Sequence, residues 1–371
     1  MAKRATVLLL IPHLGGGGAE RVTALLAGGL SPGRYDVHLG LIAPGYAGRE
    51  TLPPWVSLHV LGASRVRFSA LRLLRLVRKL KPDIILSSMA HLNFLVLFLR
   101  PFFPRKTRIL VRQNGMASAG PGHEKPRRHS TRLLYRALYG RADRIVCQTP
   151  AMAAEIAGLT DAAGKLCVLP NPIDIVAVRL SARKSPSHFS GPGPHLLAVG
   201  RLSLEKGFDL LLEAFAHVRT AFPTADLTIL GAGPEESQLK TLRAKLALHS
   251  AVRFAGNVPR PEAWFKGATL FVLSSRHEGL PNALLEAAAG GLPLVAVPAC
   301  RGICELLDQK PGVWMAPQVS VQALAQALQA ALDQLHPGQR FPHSWIEEFR
   351  IDRAIQRYEE LIEETLARCA R

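Results

Sequence analysis

The sequence predicts an α/β protein of two doubly wound domains, and three observations predict it. Short apolar runs alternate with amphipathic stretches along the 371 residues, the pattern of parallel sheets covered by helices on both faces. A Ser-, Pro- and Gly-rich stretch, "ARKSPSHFSGPGPH" at 182–195, interrupts the alternation, and a second series follows it. The length suits about two domains, and the 48% of hydrophobic residues is ample for two cores.

In the first half, "ATVLLLI", "DVHLGLIA", "DIILSS", "RILVRQ" and "DRIVCQT" read as buried strands. Residues 19–30, 69–80, 93–99, 131–139 and 150–157 read as the helices between them. The alternation stops near "LPNPIDI" at 169–175. In the second half "HLLAVG", "DLTILG", "VRFAG", "TLFVLS" and "PLVAV" are the strands. The helices are "GFDLLLEAFAHVRTAF", the segment after Gly233, "PNALLEAAAG" and "VQALAQALQAALDQL". The expected domains are 1–175 and 176–343, with 344–371 a terminal helix returning to the first on Trp345, Phe349, Ile355, Tyr358 and Ile362. Two such domains should leave a cleft, and ligands of such sheets bind at the carboxyl ends of strands.

"MAKRATVLLLIPHL" opens with two cations and an apolar run that ends at Pro12 without a small-residue cleavage site, so a buried first strand is expected rather than a signal peptide. No apolar run reaches the roughly 20 residues of a membrane span; 93–103 is broken by Arg100 and Pro101. Cys147, Cys167, Cys300, Cys304 and Cys369 are odd in number and irregularly spaced, which argues against a disulfide framework or a zinc site and for reduced thiols in the cytoplasm. The formal net charge is +18, of which residues 1–172 carry +17. That asymmetry points the first half toward an anionic partner: a membrane surface, a phosphorylated acceptor or nucleic acid.

Three stretches could carry chemistry. "HLGGGGAERV" follows the first strand, and Gly15, Gly16, Gly17 and Gly18 let backbone approach a ligand at a helix N-terminus that favours an anion. Glu20 stands where a dinucleotide motif needs a third small residue, and no Lys-Ser/Thr pair makes a P-loop; a flexible turn is the competing reading. "VGRLSLEKGFDLLLEAF" sets Arg201 and Lys206 around a strand end and a helix start, an invitation to phosphate, or else two solvated cations. "RHEGLPNALLEAAAGG" places Glu278 on a strand's exit loop and Glu286 inside the next helix, with Pro281 suited to its first turn. The carboxylates would lie about 10 Å apart with a phosphate-ready helix start between them. A nucleotide sugar has that anatomy: sugar, diphosphate, ribose. Ordinary surface glutamates remain the alternative.

Together with "LPNPID", "LTILGAGPE", "VRFAGNV" and "SSRHEGLPNALLEAAAGGLPLVA", these residues resemble glycosyltransferase family 4, retaining enzymes of the GT-B fold with two facing Rossmann-like domains. The resemblance covers nearly the whole chain. It implies that Arg201 and Lys206 bind the donor diphosphate, Glu286 the ribose, and that Glu278 lies by the transferring sugar. Backbone of Gly279, Leu280, Pro281, Asn282 and Leu284 would hold sugar and phosphate, and main chain near Val258 would read the base. "GGAERV", "SSMAHLNF" and "VRQNG" resemble the subgroup that builds lipid-linked oligosaccharides, O-antigens and capsules. Many members place a histidine after the fourth strand, and His91 is the candidate here; His13 reads as a loop histidine. "AAAGGLP" stands for the commoner "AMACGLP", and Arg301 and Cys304 stand where small residues or prolines are usual.

The expected reaction moves a sugar from a nucleotide sugar, UDP-linked by preference, to an acceptor hydroxyl with retention. No Asp-x-Asp pair is present to hold a metal, so a cofactor-free, metal-independent path is expected, with Arg201, Lys206 and a helix N-terminus meeting the leaving diphosphate. For the acceptor, "SRVRFSALRLLRLVRKLKP" sets Arg72, Arg75 and Lys79 on one helical face and Leu71, Leu74, Val77 and Leu80 on another. That face suits anionic lipid or a polyprenyl diphosphate on the inner face of the cytoplasmic membrane, although a solvated basic helix face reads equally simply. "HEKPRRHSTR" adds basic residues on an expected loop. Two rivals stand beside this reading: a UDP-sugar epimerase on the same scaffold, and a basic nucleic-acid-binding protein, which the lack of aromatics among the cations disfavours.

Overall fold

A computed structural model describes residues 4–15, 17–44, 52–117 and 125–368, with the side chains of 125–130 excepted. Gly16, Cys369 and the start of the basic 123–132 stretch lie outside the described residues. The chain divides into two compact units, Met1–Pro172 with Phe349–Arg371, and Ile173–Glu348.

In the first unit β1 (Ala5–Ile11), β2 (Tyr35–Leu41), β3 (Ser57–Val60), β4 (Ile84–Ser88), β5 (Arg108–Arg112), β6 (Arg144–Cys147) and β7 (Leu166–Val168) form a parallel sheet, in order β3-β2-β1-β4-β5-β6-β7. Its helices are α1 (Gly18–Gly29), α2 (Ala70–Leu80), α3 (Ala90–Leu99), α4 (Lys125–Leu138), α5 (Pro150–Leu159) and the terminal α12 (Ile351–Ala367). β1 shows why both faces are covered. Leu8 and Leu10 enter a core with Leu73, Val77 and Val96 of α2 and α3, while Val7, Leu9 and Ile11 enter another with Leu26 of α1 and Tyr358 and Ile362 of α12. A period of two on a strand buried on both sides gives the unbroken apolar run read from the sequence.

In the second unit β8 (His195–Val199), β9 (Asp226–Leu230), β10 (Val252–Phe254), β11 (Leu270–Leu273), β12 (Leu294–Ala296) and β13 (Val313–Met315) form a parallel sheet, in order β10-β9-β8-β11-β12-β13. Its helices are α6 (Ile175–Lys184), α7 (Phe208–Ala221), α8 (Glu236–Lys245), α9 (Asn282–Ala289), α10 (Arg301–Leu307) and α11 (Val321–Gln334). Leu211, Phe215 and Val218 of α7 share a core with Leu324, Leu328 and Ala331 of α11.

Several local expectations change. β3, β7 and β13 are edge strands of three or four residues, too short and too exposed to show a period. Residues 182–184 end α6, and the surface loop that follows belongs to the second unit, where His188 stacks on Trp264 at 4.3 Å. The basic stretch expected as a loop is helical from Lys125 onward. On α2 the inward face is Leu73 and Val77, whereas Leu71, expected among the apolar face, is 68% exposed. Pro281 is the residue before α9 rather than in its first turn.

Candidate functional site

The strand orders put a switch point in each sheet, between β1 and β4 in the first unit and between β8 and β11 in the second. Successive crossovers leave in opposite directions there, and the loops at the carboxyl ends part to leave a crevice. The sequence candidates fall at these points. The Gly-rich turn follows β1 and His91 begins α3 after β4; Arg201 and Lys206 follow β8, and Glu278 follows β11.

In the second unit two loops are bolted together. Leu202, fully buried, anchors the first, and its backbone bonds to Ala232 and Glu235. Lys206 then closes a short 3-10 turn, and Gly207 adopts φ +62, where a Cβ would run into the Ser274 carbonyl. A glycine is required by both the left-handed conformation and the close approach. Ser274 Oγ donates to the Lys206 carbonyl at 2.9 Å, and the Arg276 N–H donates to the Glu205 carbonyl at 2.7 Å. The Arg276 guanidinium makes two 2.7 Å bonds to Asp209 and a 3.0 Å bond to the Leu204 carbonyl. Burial alone would raise the Asp209 carboxyl; Arg276 and the N–H groups of Leu210 and Asp209 outweigh that and hold its pKa below the usual range.

This scaffold sets Lys206 Nζ 2.5 Å from Glu278 Oε1, and Ser275 Oγ donates to the same oxygen at 2.6 Å. Glu278 Oε2 accepts no bond from the described residues. One oxygen is therefore fixed and the other is available to a hydroxyl. Arg201 is exposed, and its side chain makes no hydrogen bond or ion pair among the described residues. The N-cap residue of α9, Pro281, supplies no side-chain cap, and the helix starts three residues after Gly279 with its dipole directed at the loop. Glu286 is 6% exposed, so the reading of it as a surface helix residue is excluded. Gly279 is held through its carbonyl by Cys300 Sγ at 3.5 Å, and burial raises that thiol's pKa. Leu280 and Leu284 are buried; Asn282 opens α9; Val258 lies in the loop after β10, half-buried.

In the first unit a carboxylate lies close to the amino end of α1. Glu20 is 3% exposed and turns back so that a Cβ at Gly17 would meet its carboxylate. Gly17 precedes α1 and Gly18 begins it. The chain's own Glu20 carboxylate thus lies beside the helix start expected to face an anion, with His13 Nδ1 3.4 Å from its Oε1. His91 is exposed, yet the protein around it, and after that the neighbouring His13, hold its pKa below the usual histidine value. Met89, at φ +78, turns the chain from β4 into α3. Arg72 is spoken for, donating to the carbonyls of Leu61 and Gly62, while Arg75, Arg78 and Lys79 are exposed.

Residues 16–176 match the model of Glycosyltransferase Family 4, and residues 193–334 match that of Glycosyl transferases group 1. A lipopolysaccharide core biosynthesis glycosyltransferase of Rhizobium meliloti is 30% identical over 76% of this chain and 75% of its own length. The chain belongs to this glycosyltransferase family. The enzyme also aligns, at 27% identity over 80% of its length and 82% of the relative's, with an N-acetylgalactosaminyltransferase of Campylobacter jejuni that acts on a diphospho-undecaprenol-linked substrate. A glycosyltransferase of Haemophilus influenzae is 32% identical, but the match spans only 38% of that relative's length and 36% of this chain. Among solved structures, a sucrose-phosphate synthase from Thermosynechococcus elongatus superposes with TM-score 0.81 at 17% identity, over 98% of this chain and all of the other. Anabaena HepE, solved with UDP and glucose, does so with TM-score 0.79 at 16% identity, over 97% and 100%. The fold is thus GT-B, two Rossmann-like α/β sheets.

Lys206 and Glu278, both singled out in the sequence, are brought together by the structure, and the groups that hold them were not singled out. Arg276, Ser275 and Asp209 all lie inside the quoted motifs. The available signal was an Arg opening one loop and an Asp at the start of the helix after the other, each beside a residue already singled out.

Proposed function

We propose that the glycosyltransferase moves a sugar from a nucleotide sugar, UDP-linked by preference, to a hydroxyl of a lipid-linked glycan during cell-surface polysaccharide or lipopolysaccharide assembly. The observation that carries the donor side is the Lys206–Glu278–Ser275 cluster at the β8/β11 switch point, beside the start of α9. Arg201 and Lys206 meet the diphosphate, the α9 N–H groups add to them, and charge developing on the leaving group finds fixed partners. Glu278 Oε2 accepts a sugar hydroxyl, and Glu286 accepts from the ribose. Backbone of the 279–284 loop holds sugar and phosphate, and main chain near Val258 contacts the base. The path needs no divalent ion because the chain supplies the cations, and it retains configuration, with the departing phosphate taking the acceptor's proton.

The acceptor side is assigned to the first unit, whose switch point carries the glycine turn and His91. Support for a lipid-linked acceptor comes from the named substrate of the Campylobacter relative and from the surface of α2. Phe68 and Leu71 are 61% and 68% exposed among the exposed cations Arg75 and Arg78, the composition that docks on anionic lipid at a cytoplasmic face. No described helix is long and apolar enough to cross a membrane.

The test is ligand-induced stabilisation. UDP or a UDP-sugar at 100 times its Kd stabilises the native state by about 2.7 kcal/mol and raises the unfolding midpoint accordingly. An unfolding midpoint unmoved by any nucleoside diphosphate or its sugars refutes the donor assignment.

A further inference from the structure

We propose that Glu278 sets the enzyme's preference for the intact nucleotide sugar over the bare nucleoside diphosphate, by competing with the diphosphate for Lys206. This rests on the donor reading above and adds a role in product release.

The geometry is asymmetric. Lys206 is the contested cation: its ammonium lies 2.5 Å from Glu278 Oε1, with side chains 25% and 9% exposed. So little water reaches the pair that its attraction is only weakly screened. Arg201, the other cation expected on the diphosphate, has no carboxylate partner among the described residues, so nothing contests it. Ser275 Oγ, on a residue 2% exposed, pins the same Oε1 at 2.6 Å. Ser275 therefore restrains the carboxylate beside Lys206 when a diphosphate arrives, and like charges meet there.

Two ligands experience that carboxylate differently. An intact nucleotide sugar brings hydroxyls, and one of them donates to the open Oε2, offsetting the repulsion with a charge-assisted hydrogen bond. A nucleoside diphosphate left after transfer brings more negative charge and has lost the transferred sugar's hydroxyls, so at Glu278 it meets the repulsion alone. Glu278 thus lowers affinity for the product while holding the substrate. Binding and release are tuned by one side chain, because the carboxylate's charge repels the product while its open oxygen can accept from the sugar.

The prediction runs against the usual expectation for a binding-site residue. Glu278→Gln, isosteric and uncharged, should bind UDP about tenfold tighter than wild type, since a unit charge a few ångströms away is removed at intermediate dielectric. Uridine, which carries no phosphate, should bind both proteins equally. The nucleotide sugar should gain less than UDP, so the UDP-to-sugar affinity ratio shifts toward product and product inhibition deepens. Calorimetric titration of UDP, uridine and a UDP-sugar into the full chain reads these values, with the unfolding midpoint as a check on folding and Glu278→Ala as the second variant. In Lys206→Met/Glu278→Gln the gain over Lys206→Met should be smaller than in the wild-type background, because the competition for the cation is gone and only the direct repulsion of the diphosphate remains to be relieved. UDP binding no tighter in Glu278→Gln and Glu278→Ala than in wild type overturns the proposal while the donor reading stands. Wild type that binds none of UDP, GDP or ADP overturns the donor reading itself, and this proposal with it.

Discussion

Arg276 touches no group assigned to the ligand, yet it fastens the loop of Lys206 to the loop of Glu278. Its bidentate pair with Asp209 and its bond to the Leu204 carbonyl use the planar fork of a guanidinium, which a lysine lacks. Arg276→Lys should therefore leave the fold intact, lower stability by about 1 kcal/mol, and raise KM for the donor severalfold with a matching fall in kcat/KM. Asp209→Asn should move KM in the same direction, and unchanged donor kinetics in both variants would remove the positioning role. Asp143 makes a different, purely structural tie at the other end of the first sheet. It accepts from Arg100, Arg108 and the Ile109 N–H, and although burial pushes its carboxyl up, these partners bring its pKa below the usual range. A depressed carboxyl pKa contributes stability above the unfolded value of about 3.9 and loses it as pH falls through the folded value. In urea titrations, wild type should exceed Asp143→Asn in stability at pH 7, and the gap should close below about pH 4. A gap independent of pH would contradict the assignment.

At the scale of elements, α2 is the informative case. Its buried face, Leu73 and Val77, holds it to the sheet, while Leu71 and the neighbouring Phe68 face outward among Arg75 and Arg78. Leu71→Glu combined with Arg75→Glu and Arg78→Glu should abolish cosedimentation with anionic vesicles at low salt, at about 1 kcal/mol per lost cation, without lowering the unfolding midpoint. Equal sedimentation of variant and wild type would remove α2 from the membrane reading. The same helix shows where the sequence stopped being legible. Leucines fill so much of "LRLLRLVRKL" that the apolar stripe fits more than one phase, and only packing against Val96 and Leu97 of α3 selects Leu73 over Leu71. Strands β1, β2, β4, β5 and β6 were readable because burial on both faces makes them continuous apolar runs. Edge strands β3, β7 and β13 contain no fully buried residue and too few residues for a period. Lys206 and Glu278 were legible because motif spacing marks them. Their supports were not, since Arg276–Asp209 is a contact between residues 67 apart in sequence.

For the whole molecule, two parallel sheets each carry a switch point, and the chain crosses between units at Pro172–Ile173 and again at Glu348–Phe349. Close to both crossings, the fully buried Arg112 at the end of β5 bonds Asn171 before the first and Tyr358 of α12 after the second. The strongly basic first half and the nearly neutral second half divide acceptor and donor chemistry between the units in this account. Its central claim is that fixed positive charge after β8, rather than a divalent ion, meets the leaving diphosphate. The most direct measurement is turnover of a nucleotide sugar, with lipid-linked acceptor and excess EDTA, by wild type and by Lys206→Ala. The account predicts full wild-type turnover under EDTA and a fall of roughly 100- to 1,000-fold in the variant, with its unfolding midpoint close to wild type. Near-normal turnover by Lys206→Ala, or wild-type turnover that EDTA abolishes and magnesium or manganese restores, would contradict it.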